Sequence, residues 1–363
     1  MRCMTWMQPL HAEQTIDTMT ETPAPYRVTP NADYHADYAP AAPPAQLPRA
    51  PLRLSCVVPA HNEEANLEDF VRALAQAAGR LTPEFEIIIV NDGSRDATHA
   101  VALRLAQDLP VRYLALSRNF GKEAALTAGL AHARGSAVLL IDADFQHPLE
   151  LLPEMHALWL AGYDMVYGVI VDRGFESGTK RVGTGLFYRL INTGKQVKVP
   201  PNAGDFRWMD RRVADALNAL PERNCFMKGL YAWVGFKAAA LPFVPHDRAG
   251  GQTSFSMRRL GSLALLGLTS FTTLPLRVWS IVGSLVALLA LVYGAWITLD
   301  TILHGTDLQG WPTLAAGIML FSGVQLMSIG ILGEYIGRIY EEVKRRPTYL
   351  VARDEDNSPW RDS

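Results

Sequence analysis

Cysteine is scarce in this chain: Cys3, Cys56 and Cys225 are odd in number and far apart. They build no disulfide framework and lack zinc-ligand spacing, which points to free thiols in a reducing compartment. A secretory signal is missing too, because Glu13, Asp17 and Glu21 interrupt the N-terminus before an apolar run can form. Charge of one sign is not in excess. Lys and Arg number 34 against 36 Asp and Glu, a formal net charge of -2. That balance provides no bulk basic surface for nucleic acid, so no nucleic-acid partner is expected. Apolar side chains are plentiful at 49%, which excludes global disorder. A length of 363 residues suits two modules better than one.

The texture changes along the chain. Residues 1–50 are rich in Pro, Ala, Thr and Tyr without periodicity, and Ala39-Pro40-Ala41-Ala42-Pro43-Pro44 favours solvated extended backbone. We expect a disordered N-terminal tail there. From Leu52, short apolar runs alternate with helical patterns. Strands are predicted at 54–59, 86–90, 111–116 and 137–141, and helices at 63–79, 96–108 and 121–133. Strands alternating with helices of about 10–15 residues predict βαβ units and a parallel sheet. Such sheets bind ligands beyond the carboxyl ends of their strands.

Two long uncharged runs follow. Val278 to Leu299 and Thr313 to Gly333 are 22 and 21 residues without a charge. A helix rises about 1.5 Å per residue, so each run can cross a hydrocarbon core of about 30 Å. Two such runs in tandem predict a transmembrane hairpin over 277–338, the alternative being buried core helices. The link from His304 to Trp311 has no Lys or Arg, while Arg258, Arg259, Arg277, Arg338, Lys344, Arg345 and Arg346 flank the runs. The positive-inside rule then puts the N-terminal domain and the 339–363 segment in the cytoplasm. Residues 257–276 read as an interfacial helix on the bilayer, with a core helix of the globular domain as the alternative.

The polar clusters fall where the strands end. Pro59-Ala60-His61-Asn62-Glu63-Glu64 follows the first, Asn91-Asp92-Gly93-Ser94 the second, Arg118-Asn119-Phe120-Gly121-Lys122 the third, and Asp142-Ala143-Asp144 the fourth. Carboxylates at i and i+2 in a tight turn can share one hard cation, Mg²⁺ or Mn²⁺, with Gln146 near enough to complete the site. Such a cation neutralises a diphosphate leaving group. Together these turns make a crevice with acceptors for a nucleoside and cations for phosphates. No Gly-x-Gly-x-x-Gly follows the first strand, and Gly183-Thr184-Gly185 stands in the wrong context, so a dinucleotide dehydrogenase is disfavoured.

These motifs resemble family 2 glycosyltransferases of the GT-A fold, an α/β Rossmann-like nucleotide-diphospho-sugar transferase domain, expected over 51–256. The nearer resemblance is to polyprenyl-phosphate glycosyltransferases, and within them to the bacterial bactoprenol (undecaprenyl-phosphate) glucosyltransferase type. It is carried by Arg118-Asn119-Phe120-Gly121-Lys122-Glu123, Gly204-Asp205-Phe206-Arg207, Pro221-Glu222-Arg223-Asn224, Phe226-Met227-Lys228-Gly229, Trp233-Val234-Gly235, Tyr293-Gly294-Ala295-Trp296 and Leu332-Gly333-Glu334-Tyr335-Ile336-Gly337-Arg338.

The resemblance implies an inverting transfer of glucose from UDP-glucose to undecaprenyl phosphate at the cytoplasmic face of the bacterial inner membrane. It implies Mg²⁺ or Mn²⁺ as cofactor and allows a homo-tetramer. Carried over by position, Pro59, His61, Asn62, Glu63, Asp92, Gly93, Arg118 and Lys122 would bind the nucleotide sugar with Asp142, Ala143 and Asp144. Metal would sit at Asp142, Asp144 and Gln146. Asp205 and Asp144 would be catalytic, and Lys180, Arg181, Arg207 and Arg248 would face the acceptor phosphate. One departure concerns the run after Arg248, where the family's usual acid and Lys are replaced by Gln252 and Ser254. Rival expectations are another donor such as GDP-mannose, a processive synthase, and a non-catalytic nucleotide-sugar-binding scaffold. The synthase usually shows Gln-x-x-Arg-Trp, and here Gly204 precedes Arg207-Trp208.

Overall fold

The computed structural model describes residues 49–170, 203–220, 222, 227–245, 274–304 and 310–361. The α/β domain opens with β1 (Leu54–Ala60), α1 (Leu67–Leu81), β2 (Phe85–Asn91), α2 (Thr98–Asp108), β3 (Val111–Leu116), α3 (Lys122–His132) and β4 (Ala137–Leu140). It continues with α4 (Leu152–Leu160), β5 (Met165–Ile170), β6 (Ala203–Asp210), α5 (Arg211–Asn218), α6 (Met227–Trp233) and β7 (Ala238–Phe243). Two long helices follow, α7 (Leu274–His304) and α8 (Trp311–Val343), and then a last strand, β8 (Val351–Asp356).

The apolar runs of β1 and β2 are buried on both faces, and alternation divides them between two layers. Leu54, Cys56, Val58, Ile87 and Ile89 pack with Phe70, Leu74, Leu105 and Trp159 on one side. Val57, Ile88, Val90, Val138 and Leu140 pack with Leu126, Val213 and Leu230 on the other. Helix α1 forms because Leu67, Phe70, Val71, Leu74 and Ala78 share one buried stripe. It begins later than the periodicity predicts, because 61–66 is kept as a polar turn at the end of β1. Cys56 is fully buried, and burial pushes its thiol well above the ordinary range, so it is inert.

The sheet order is β7-β5-β6-β4-β1-β2-β3-β8. The expectation of a parallel sheet holds for β3, β2, β1 and β4, and β5 and β7 pair parallel with each other beyond them, but it fails at β6 and β8. Strand β6 runs antiparallel between β4 and β5, and β8 runs antiparallel on β3. Antiparallel pairing of Leu140 with Arg207 brings Asp205 to the same edge as Asp142.

Three boundaries move. Arg49, expected in the tail, is anchored: its guanidinium pairs with Asp210, donates to the Tyr163 carbonyl at 2.9 Å and lies 5.1 Å from the Trp159 ring. Residues 274–276, expected in the interfacial helix, open α7, while 257–273 lie outside the described residues. The segment expected to begin at 339 starts inside a helix. Helix α8 runs on to Val343, and β8 then joins the sheet, with Arg112 donating to both Asp354 oxygens at 3.0 and 2.7 Å. Helices α7 and α8 touch through a hydrogen bond from Trp279 Nε1 to Ser328 Oγ.

Candidate active site

At the carboxyl edge the polar turns are stitched to one another by hydrogen bonds. The turn after β1 is held by the turn after β2: Asn62 N donates to Ser94 Oγ at 3.0 Å, Glu63 N to Thr98 Oγ1 at 2.9 Å and Ala97 N to Glu64 Oε2 at 2.8 Å. His61 Nδ1 lies 2.8 Å from the Asp92 carbonyl oxygen, so the ring donates there. Its Nε2 is then an acceptor for the Asn119 amide at 3.1 Å. Asp92 is 3% exposed and accepts the N–H groups of Phe120 and Gly121 at 2.7 and 2.9 Å. It therefore orders the 118–122 loop directly. Arg118 lies over the Phe120 ring at 4.0 Å.

Two backbone features make this packing possible. Gly93 has φ +62, and a Cβ there would come within 2.4 Å of Asn119 N, so only glycine lets the third loop cross the second. Phe145 holds φ 58, a costly value for a bulky residue, between Asp144 and Gln146. Its ring is held edge-on to Phe70 at 5.2 Å, and Gln146 N donates to Asp144 Oδ1 at 3.1 Å.

The centre of the site is a bridge. Lys122 Nζ stands 2.7 Å from Asp142 Oδ2 and 2.9 Å from Asp205 Oδ2, joining α3, the turn after β4, and β6. Burial works against ionisation of Asp205, but Lys122, with Lys228 and Arg207, outweighs it and holds the carboxyl well below the usual carboxylate range. Partial desolvation by its neighbours likewise opposes the charge on Lys122, and Asp205 and Asp142 more than offset it, raising the ammonium above its ordinary value. Glu63 is raised by burial, with Asp144 and Asp142 adding to it. That places Glu63 in the field of the acidic pair. Among the described residues no group of three or more His, Cys, Asp or Glu gathers to hold a metal alone. Two carboxylates and an amide on one turn suit a cation that takes its other ligands from water or phosphate, as Mg²⁺ and Mn²⁺ do.

The structure brings His61, Asn62, Glu63, Asp92, Gly93, Arg118, Lys122, Asp142, Ala143, Asp144, Gln146 and Asp205 to one edge, with Pro59 partly buried at the end of β1. Arg207 departs from expectation. It is 2% exposed, with its guanidinium 4.1 Å from the Tyr231 ring and 5.0 Å from the Tyr167 ring. On β6 it stands two residues from Asp205 and so shares its face, where its charge helps to hold that carboxylate ionised. Lys180, Arg181 and Arg248 lie outside the described residues.

Sequence reasoning gave no role to Glu123 or Tyr231. Glu123 Oε2 accepts the Met227 N–H at 2.6 Å, and burial pushes its carboxyl up to about 7. Tyr231 is buried against Arg207, and burial raises its phenol well above the ordinary value. The signal for Glu123 was its place beside Lys122, but an acid in a first helical turn is ordinary.

Comparison with known proteins agrees with this architecture. A Glycosyl transferase family 2 model matches residues 55–217, and a GtrB C-terminal hairpin model matches residues 274–339. An uncharacterized glycosyltransferase of Synechocystis sp. is 45% identical over 302 residues, covering 83% of this chain and 95% of the relative. The prophage bactoprenol glucosyl transferase homolog of Escherichia coli is 44% identical over 303 residues, 83% and 99% respectively. The SfII prophage-derived bactoprenol glucosyl transferase of Shigella flexneri is 44% identical over 309 residues, 85% and 100%. The chain belongs to glycosyltransferase family 2. More particularly, it is a glycosyltransferase that joins the family's GT-A domain to a GtrB-type C-terminal hairpin.

Proposed function

We propose that the chain moves glucose from UDP-glucose to undecaprenyl phosphate at the cytoplasmic face of the bacterial inner membrane, with inversion at the anomeric carbon. The bridge from Lys122 to Asp142 and Asp205 carries the proposal, because it joins a carboxylate suited to the donor diphosphate with one suited to the acceptor side. The relatives named for bactoprenol glucosyl transfer share 44% identity over nearly their whole length, which supports this acceptor.

The chemistry asks little of a base. A phosphate monoester is already anionic near neutral pH, so proton removal is a minor need. Asp205, held ionised, orients neighbouring cations for the acceptor. The larger burden is electrostatic, since two anionic groups must approach each other. Lys122 places positive charge between them. Asp142, Asp144 and Gln146 would hold Mg²⁺ or Mn²⁺. Bound there, the cation would neutralise the diphosphate and favour its departure. Asp92 and Gly93 shape the loop that, with His61 and Glu63, would face the uridine.

The hairpin suits a lipid acceptor. Leu320–Val343 is long and apolar enough to cross a bilayer, and none of its described side chains is buried. Leu285, Leu288, Leu289, Val292 and Trp296 of α7 are exposed as well. Each CH₂ of a polyprenyl chain costs about 0.8 kcal/mol to bring into water, so the acceptor phosphate must be met at the interface. Labelled glucose transfer to undecaprenyl phosphate, assayed in membranes, tests the assignment. We expect Asp144→Asn to lower turnover by about 100-fold, in the range of lost electrostatic stabilisation. Wild-type turnover in that variant would sink the metal assignment, and no transfer by the unmodified chain would sink the function.

A further inference from the structure

We propose that Lys122 is a resident counter-ion that couples the binding of a divalent cation to the binding of the donor diphosphate. The proposal rests on the assignment of Asp142 to the diphosphate end of the site. Asp142, in the turn after β4, and Asp205, on the neighbouring antiparallel β6, meet at one edge, where two like charges repel without a cation between them. Lys122 supplies that charge, at 2.7 Å from one carboxylate and 2.9 Å from the other.

The geometry gives Lys122 a fixed base and a movable tip. Its backbone follows Gly121, whose N–H donates to Asp92 Oδ2 at 2.9 Å and whose carbonyl accepts from Ala125 N at 3.1 Å. The side chain beyond that anchor is 44% exposed, a flexible four-carbon stem ending in a compact ammonium. A divalent cation needs Asp142 as a ligand. While the Lys122 ammonium holds Asp142 Oδ2, a cation binding alone competes with it. A diphosphate entering the crevice offers the ammonium new oxygen partners. Lys122 then swings from Asp142 to phosphate, and Asp142 is released to the cation. The two ligands therefore bind with positive coupling, and by linkage each tightens the other equally. Asp205 keeps a cationic neighbour until the donor is seated.

The test uses the full chain in detergent micelles, with Mn²⁺ titrated by electron paramagnetic resonance with and without UDP. In the unmodified protein UDP is expected to tighten Mn²⁺ by about tenfold or more, within the usual range of site coupling. In Lys122→Gln, Mn²⁺ alone binds more tightly than to the unmodified protein, and the tightening by UDP shrinks. Lys122→Arg keeps the positive charge and retains the coupling, which separates a charge effect from a folding defect. If Lys122→Gln binds Mn²⁺ alone no more tightly and UDP still tightens it fully, the coupling role is overturned while the donor assignment stands. An unmodified protein that binds Mn²⁺ but not UDP overturns the donor assignment, and the coupling with it.

Discussion

At the start of α3, two neighbouring residues face opposite electrostatic problems. Lys122 reaches outward to two carboxylates, and its motif was legible in the run Arg118 to Glu123. Glu123 turns inward to the Met227 N–H, a partner 104 positions away, and nothing local announced that contact. Burial is the main cause that pushes its carboxyl up to about 7, with Asp205 adding and the Met227 hydrogen bond opposing. The folded value lies above that of an unfolded glutamate, about 4.3. Its contribution to stability is therefore complete below about pH 4 and lost as pH rises through 7. Melting curves at pH 5.5 and 8 check this. The unmodified protein should lose more stability across that interval than Glu123→Gln, by an amount on the order of 1–2 kcal/mol.

Among the elements, β8 was the least legible. Its six residues, Val351-Ala352-Arg353-Asp354-Glu355-Asp356, carry no apolar run to mark a strand. Four charges in a row suit a strand only at a sheet edge, where they discourage pairing with other chains. The edge needs them, because Arg112 is 8% exposed and Arg134 is partly buried, and both find carboxylates on β8. Trp360, beyond it, is 4% exposed and donates to Glu84 Oε2 at 2.9 Å. Asp354→Ala should cost about 1–2 kcal/mol in chemical denaturation, the lower part of the range for hydrogen bonds to a charged group, since Asp354 is partly exposed. An unchanged midpoint would show that β8 is not clamped through Arg112. Strands β1 to β4 were legible because each is an apolar run buried on both faces. Strand β6 was not, since Asp205, Arg207 and Asp210 interrupt its pattern and find their partners only across the sheet.

For the whole molecule, β8 ties the hairpin back to the catalytic edge. Ser117 N donates to the Leu350 carbonyl at 2.9 Å, next to the loop that carries Arg118 and Lys122. The connection from the end of α8 at Val343 to β8 at Val351 is residues 344–350. Such a segment spans at most about 25 Å when fully extended. If α8 crosses the bilayer, Leu326→Asp places a charge in hydrocarbon at a cost of about 2.5–3.5 kcal/mol. In sealed vesicles that variant should open α8 to protease, and unchanged protection would count against α8 as a span.

The sequence by itself determined the class of fold, the order of the polar turns and the presence of two long apolar helices. Each is written in local pattern: runs buried on both faces, turn residues after them, and uncharged stretches of sufficient length. It also placed the acidic pair and Asp205 among the candidates. Only the tertiary structure decided what those residues face. It put Lys122 between Asp142 and Asp205, turned Arg207 inward against Tyr167 and Tyr231, and returned the C-terminus to the sheet. Those outcomes depend on strand order and on charges meeting across long separations in the chain, which no window of neighbouring residues encodes.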